Sequence, residues 1–349
     1  MRAIAAWGGG SGGDPACFEA IVLPEPAPGP HDLLVRVEAL AVNPVDTKVR
    51  ASLPTRSEAG AAAPRLLGWD AAGVVEAVGA AVTAFRAGDR VWFAGDISRP
   101  GCCAERVLVE EAIVGPWPAT LDAAEAAALP LTGLTAWEAL FERLGLDPAG
   151  GDAGRSLLIL GGAGGVGSIA IQLARRAGLR VIATASRPES RAWCEAMGAD
   201  AVIDHSQPLA PQLAELGLSE VDAIANFSDT DAYWPVMAEL IRPQGAIVAI
   251  VGNRAPLDLN LLKAKSVSFH WEFMFTRPQF QTPDRAEQGV ILRRLAEAVE
   301  AGELRSTLRT SLHPISPDTL AQAHGLLESG RSIGKIALEG WPAEPAAGE

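Results

Sequence analysis

The chain has 349 residues, enough for two domains and a large core, and 29 Lys and Arg against 42 Asp and Glu give a formal net charge of −13. That balance excludes the basic footprint of a nucleic-acid binder and argues against an anionic membrane surface as partner. The four cysteines (Cys17, Cys102, Cys103 and Cys194) form neither a metal-ligand pair nor a disulfide framework, and no signal-peptide core is visible, so a reduced, cytoplasmic chain is expected. Over the first 115 residues, apolar runs between Pro and Gly predict strands: Leu33–Val42, Gly73–Gly79, Val91–Gly95 and Glu105–Val109. Residues 51–64 are small and polar and read as a mobile loop. From about 121 the pattern turns helical, over 121–129 and 133–144, the second with Leu134, Trp137, Leu140 and Phe141 on one side.

Strands at 157–161, 180–184, 201–203, 222–227 and 246–251 then alternate with helices at 165–177, 188–197, 208–216 and 231–241. That alternation predicts an α/β domain with a parallel, doubly wound sheet. Val267–Trp271 reads as one further strand, 284–301 and 317–328 as helices, Gly334–Leu338 as a last strand, and 340–349 as a frayed end.

The most informative stretch joins the first of these strands to its helix. Leu157–Leu160 runs into Gly161, Gly162, Ala163, Gly164, Gly165, Val166 and Gly167, and Ser168 opens an apolar helical pattern. Gly162, Gly164 and Gly167 make G-x-G-x-x-G. The first lets the chain turn, the second lets backbone approach a pyrophosphate, and the third lets helix and strand pack closely. The helix N-terminus adds N–H groups and positive dipole for phosphate. An NAD site places Asp or Glu at the tip of the second strand. Here the tip reads Ala185-Ser186-Arg187, and a serine with a guanidinium suits a 2′-phosphate. NADP(H) is therefore the expected cofactor; the competing reading of Arg187 is an exposed side chain where a Pro188-initiated helix starts.

Several motifs in order resemble the medium-chain dehydrogenase/reductase superfamily: Asn43-Pro-Val-Asp46-Thr-Lys48, Gly68-Trp69-Asp70 through Gly79, Gly88-Asp-Arg-Val, and Ala126 through Trp137. The resemblance covers nearly the whole chain. It implies a GroES-like, β-rich catalytic domain over 1–128 and 276–349 and a Rossmann domain over 129–275. Zinc members of that superfamily carry a cysteine at the first motif and a histidine–glutamate pair at the second. Here those positions read Asn43 and Trp69-Asp70, so no zinc ligand set is expected. The chain is then similar to the zinc-free branch of quinone oxidoreductases, ζ-crystallin-like proteins and enone reductases. That likeness implies hydride transfer from NADPH to a small apolar conjugated carbonyl or quinone.

The resemblance also supplies candidate residues. Asn43 either donates from its amide to the carbonyl or is a turn residue before Pro44. Asp46 orients neighbours or caps a helix. Lys48 is a proton source or a surface lysine. Thr132 and Thr135, Phe227, Ser228 and Asp229, Val251, and Lys335 lie where the branch approaches its cofactor. Trp69, Trp92, Trp271, Phe273 and Phe275 are candidates for an apolar substrate pocket; the last three, in the aromatic run 270–277, serve equally well as core or dimer interface. A homodimer through Val267–Trp271 is implied. A zinc-free aldehyde or ketone reductase and an NADPH-binding scaffold of negligible turnover remain the competing functions.

Overall fold

The computed structural model describes residues 1–58 and 64–342 and divides the chain into two compact units, Met1–Leu131 with Phe275–Glu349, and Thr132–Met274. The residues 59–63 of the expected loop and 343–349 of the expected frayed end lie outside the described residues. No helix among the described residues is long and apolar enough to cross a membrane.

The first unit is β-rich. A seven-stranded sheet is centred on Asp32–Val42, which pairs antiparallel with Ala71–Val78, Arg106–Glu110 and Lys335–Glu339. Leu33, Val35, Val37, Ala39 and Leu40 are all buried, as befits a strand paired along both edges at the centre of the sheet. The start of the expected loop belongs instead to a helix, Pro44–Ala51, which Asn43 and Asp46 initiate: Asn43 is extended and the Asp46 carboxylate accepts from its backbone N–H at 2.7 Å. The helix expected at 121–129 is only Ala123–Ala127, opened by an Asp122/Glu125 capping box.

The second unit is the doubly wound sheet. Its six parallel strands run in the order Ala201–Ile203, Arg180–Thr184, Ser156–Leu160, Val221–Asn226, Ile241–Ala249, Ser268–Trp271. That is the 3-2-1-4-5-6 order, which places the carboxyl ends of the first and fourth strands side by side at the switch point. Leu157, Leu158, Ile159 and Leu160 are wholly buried, as a central parallel strand requires. The fifth strand begins at Ile241, five residues before the expected start. Arg242-Pro243-Gln244-Gly245 reads as a turn, and the pairing with Val221–Asn226 shifts register there, with Gln244 at φ 59°. The helix expected at 133–144 is α-helical over Pro130–Trp137 and π-helical over Glu138–Arg143, with the Leu144 N–H reaching Ala139 O at 3.0 Å. Apolar spacing fits either winding, so the wider turn left no trace in the pattern.

Candidate functional site

The glycine turn lies where the sheet order reverses. Gly161 takes φ +82°, and its N–H donates to Thr184 Oγ1 at 3.0 Å, while the Gly162 N–H donates to Thr184 O at 3.2 Å. A Cβ on Gly167 would stand 2.3 Å from Gly161 O, and one on Gly162 would stand 2.8 Å from Ala183 Cβ. Packing within the chain therefore requires both glycines. Gly164 differs: a Cβ there would meet nothing nearer than Gly161 O at 3.5 Å. Nothing in the chain demands a glycine at that point, whereas a ligand lying against the turn would. Gly165, Val166 and Gly167 open the helix Gly165–Arg176, whose first-turn N–H groups have no intrahelical acceptor. The cradle fits a dinucleotide pyrophosphate.

Of the other expected cofactor residues, Phe227 and Ser228 lie beside this turn. Phe227 O and Ser228 Cβ lie 3.4 and 3.5 Å from where a Gly161 Cβ would stand. Val251 O accepts from Thr230 Oγ1. Asp229, however, spends its carboxylate on Ala232 N–H as a helix cap and on Arg254, and these two hold its pKa below the usual range. Thr132 and Thr135 are buried on Pro130–Trp137. Ser186 and Arg187 are half-buried beyond the second strand, and Arg187 is the N-cap of Pro188–Met197.

In the β-rich unit, four polar side chains buried to 97% or more converge. Lys335 Nζ donates to Val42 O at 2.9 Å, Asn43 Oδ1 at 2.5 Å and Asp70 Oδ2 at 2.9 Å. All three ammonium protons are thus committed, which corrects the expectation of a cofactor contact from Lys335. Asp70 also accepts from Asn43 Nδ2 at 3.1 Å and from the Leu131 N–H at 3.0 Å. The Asn43 amide has only one workable orientation, since its oxygen must face the ammonium and its nitrogen the carboxylate. One Nδ2–H remains unused by the cluster, polarised by the cation at the other end of the amide. Asp46 accepts from the Asn43 and Gly68 N–H groups at 2.7 and 3.0 Å. Burial pushes its carboxyl up to about 7, against the pull of the Asn43 N–H, Lys335 and the Gly68 N–H. Lys48 is exposed on the helix, away from these bonds.

These side chains do not make a zinc ligand set. Asn43 is occupied at both ends of its amide, Trp69 offers no lone pair, and a lysine ammonium already sits against Asp70. Among the described residues no group of three or more His, Cys, Asp or Glu is placed to hold a metal. The four thiols are free and buried, and burial raises Cys194 to about 12, so none is set up as a nucleophile.

The aromatic residues expected to line a substrate pocket are divided between the two units, three in the β-rich one and two in the other. Trp92 is wholly buried against Gly115, a core position. Trp69 and Phe275 are buried and stack edge-to-face with centroids 6.0 Å apart. Trp69 does line a small pocket within the β-rich unit, with Phe93, Cys102, Arg99 and Gln281. Trp271 and Phe273 belong to the other unit and are each 45% exposed at its edge strand.

One feature had no signal in the sequence beyond two ordinary glutamates. Glu138, on the π-helical turn, and Glu272, just past the edge strand, are both buried and share a carboxyl–carboxyl hydrogen bond, while Arg143 Nε holds Glu272 Oε2 at 2.8 Å. Burial, and then Glu138, outweigh the arginine and push Glu272 up to about 9. A carboxyl whose pKa is raised by folding stabilises fully below its unfolded value and loses that contribution as pH climbs through the folded one. Stability of this unit is therefore expected to fall between roughly pH 5 and pH 9. Glu272→Gln keeps an acceptor for Arg143 and a donor for Glu138. Urea unfolding across this range is expected to show the variant about 1–3 kcal/mol more stable than the unaltered chain at pH 9, with a flatter profile. Superimposable profiles would mean the pair holds no shared proton.

Comparison with known proteins agrees with the two-unit fold. The family model for the alcohol dehydrogenase GroES-like domain matches residues 29–119, and that for zinc-binding dehydrogenase matches 165–284. A zinc-type alcohol dehydrogenase-like protein of Staphylococcus aureus (strain MSSA476) is 46% identical over 316 residues, 90% of this chain and 92% of that one. A quinone oxidoreductase of Lama guanicoe is 31% identical over 328 residues, 90% of each. Among solved structures, a Rhizobium etli CFN 42 protein described as a zinc-dependent alcohol dehydrogenase superposes with TM-score 0.91 at 50% identity, covering 98% of both chains. A mycobacterial protein solved with NADPH superposes with TM-score 0.80 at 28% identity, covering 97% of this chain and 100% of its own.

Proposed function

The chain belongs to the medium-chain dehydrogenase/reductase superfamily, and from that premise we propose that it is an NADPH-dependent, zinc-independent reductase of quinones or α,β-unsaturated carbonyls. The observation that carries the reading is the Asn43 amide, clamped between Lys335 and Asp70 where zinc members hold their metal. When bound, the nicotinamide supplies the hydride. The chain supplies orientation and charge stabilisation. The first-turn amides after Gly164 hold the pyrophosphate, Ser186 and Arg187 receive the 2′-phosphate, and Phe227, Ser228 and Val251 border the path toward the reacting end. Asn43 offers its spare Nδ2–H to the carbonyl oxygen, where negative charge develops as hydride arrives at the conjugated carbon. An ammonium bonded to the amide oxygen strengthens that donor, and a fixed amide costs no reorganisation during the step.

An unsaturated or quinone acceptor suits this arrangement better than a simple aldehyde. Its charge is delocalised, so a neutral amide suffices where an isolated alkoxide calls for a Lewis acid or a strong proton donor. The Lama guanicoe quinone oxidoreductase supports that choice, and the NADPH in the mycobacterial structure supports the cofactor. The buried free thiols fit a reducing cytoplasm. The exposed Trp271 and Phe273 beside the unpaired edge Ser268–Trp271 fit a homodimer joined through that strand. The test is the rate of NADPH oxidation with ortho- and para-quinones, alkenals and simple aldehydes, for the unaltered chain and for Asn43→Ala. Turnover of quinones or alkenals, falling about 10- to 100-fold in the variant, is expected. Turnover of aldehydes alone would favour the carbonyl reductase reading. Cofactor binding without turnover would favour a scaffold.

A further inference from the structure

The peptide joining Gly164 to Gly165 stands between two residues without side chains, and hydrogen bonds from Ser168 hold its plane. Gly164 O accepts twice, from the Ser168 N–H at 2.9 Å and from the Ser168 hydroxyl at 2.7 Å. A longer contact of 3.5 Å joins the same hydroxyl to Ala163 O. The hydroxyl, wholly buried, accepts in turn from the Trp193 indole N–H at 2.8 Å. With its proton pointed at Gly164 O and a lone pair filled by the indole, the Ser168 rotor has one orientation left. In a trans peptide the carbonyl and the following N–H point in opposite directions. Drawing Gly164 O inward therefore aims the Gly165 N–H outward from the helix N-terminus. Trp193 rides on Pro188–Met197, the helix whose N-cap is Arg187. One helix thus carries the arginine at the strand tip and the indole that steadies the turn.

We propose that Ser168 and Trp193 are positioning residues for the dinucleotide pyrophosphate, acting in series through the Gly164 carbonyl. The proposal rests on the assignment of the glycine turn to a nicotinamide dinucleotide. Without the hydroxyl, the glycine peptide regains freedom that pyrophosphate binding must then remove again. Without the indole, the hydroxyl is free to turn toward Ala163 O. Because the effect of Trp193 on the turn passes through Ser168 Oγ, its effect on dinucleotide binding disappears once the hydroxyl is gone.

The experiment titrates NADPH, NADH and 2′-AMP, by quenching of protein fluorescence or by calorimetry, into the unaltered chain, Ser168→Ala, Trp193→Phe and the double variant. The expected result is NADPH and NADH binding about 3- to 10-fold weaker in Ser168→Ala and about 2- to 5-fold weaker in Trp193→Phe. The double variant should be no weaker than Ser168→Ala alone. Affinity for 2′-AMP, which has no pyrophosphate, should not change. Unaltered dinucleotide binding in both variants, additive losses in the double variant, or an equal loss for 2′-AMP would each overturn the proposal while leaving the dinucleotide assignment standing. A chain that binds neither dinucleotide in its unaltered form would overturn both.

Discussion

Replacing Lys335 with Met is expected to cost the β-rich unit about 3–5 kcal/mol of stability, near the upper end of what a single substitution does. The side chain is 3% exposed and its partner Asp70 is wholly buried. Methionine matches the aliphatic length of lysine, so the cavity term is small. What is lost is the charge that justifies burying a carboxylate. Asp70 would keep the Asn43 Nδ2–H and the Leu131 N–H, but both are neutral donors, while Val42 O and Asn43 Oδ1 would lose a donor inside the core. Truncating one member of a buried pair is costlier than the pair's own net worth, because the remaining charge is stranded. Denaturant unfolding followed by far-ultraviolet circular dichroism measures the loss. A change below about 1 kcal/mol would mean that water already solvates the cluster. Activity should fall further than stability alone accounts for. With the ammonium gone the Asn43 amide loses the cation on its oxygen that polarises the spare Nδ2–H, so the donor offered to the substrate is weaker.

This cluster also marks where the sequence stops being legible. The glycine turn, its strand and its helix are contiguous, so residues 156–176 carried their own signature in local spacing, and the alternation of strands and helices dictated the doubly wound sheet. Lys335 and Asn43 are 292 residues apart, and Lys335 and Asp70 are 265 apart. No periodicity reports a contact over such distances. The motif Gly68-Trp69-Asp70 drew attention to what it could not ligate, while the carboxylate's role as the acceptor that fixes Asn43 emerged only from geometry. The aromatic residues misled for a related reason. Trp92 and Phe275 are large and apolar, and sequence does not separate an aromatic that lines a pocket from one that fills a core. Glu138 and Glu272 violate the expectation that glutamates lie outside, and only the fold reveals that they are buried with Arg143 Nε held against Glu272.

The second large effect concerns the cofactor. Replacing Arg187 with Ala is expected to weaken NADPH binding about 10- to 150-fold and to leave NADH nearly unchanged, the equivalent of roughly 1.5–3 kcal/mol for one charge-assisted phosphate contact. The strand Arg180–Thr184 ends beside the glycine turn, with Thr184 bonded to both Gly161 and Gly162, so on the proposed reading residues 185–187 would face the adenosine half of a dinucleotide held at that turn. None of the three is a carboxylate, which would hold a free ribose and repel a 2′-phosphate. Two guanidinium groups are near this tip. That of Arg191 is spent on backbone, donating to Val202 O at 2.8 Å and Ala185 O at 3.4 Å, and so it braces the tip from behind. Arg187 is half-buried at the N-cap itself, where the helix dipole adds to its field and Ser186 stands beside it as a second donor. The loss should therefore be confined to ligands that carry the extra phosphate. Fluorescence titration of both cofactors, in the unaltered chain and in Arg187→Ala, separates the possibilities. Equal weakening of NADPH and NADH would make Arg187 a structural cap. Tighter binding of NADH than NADPH by the unaltered chain would overturn the assignment of specificity to this tip, because the absent carboxylate would then have no consequence.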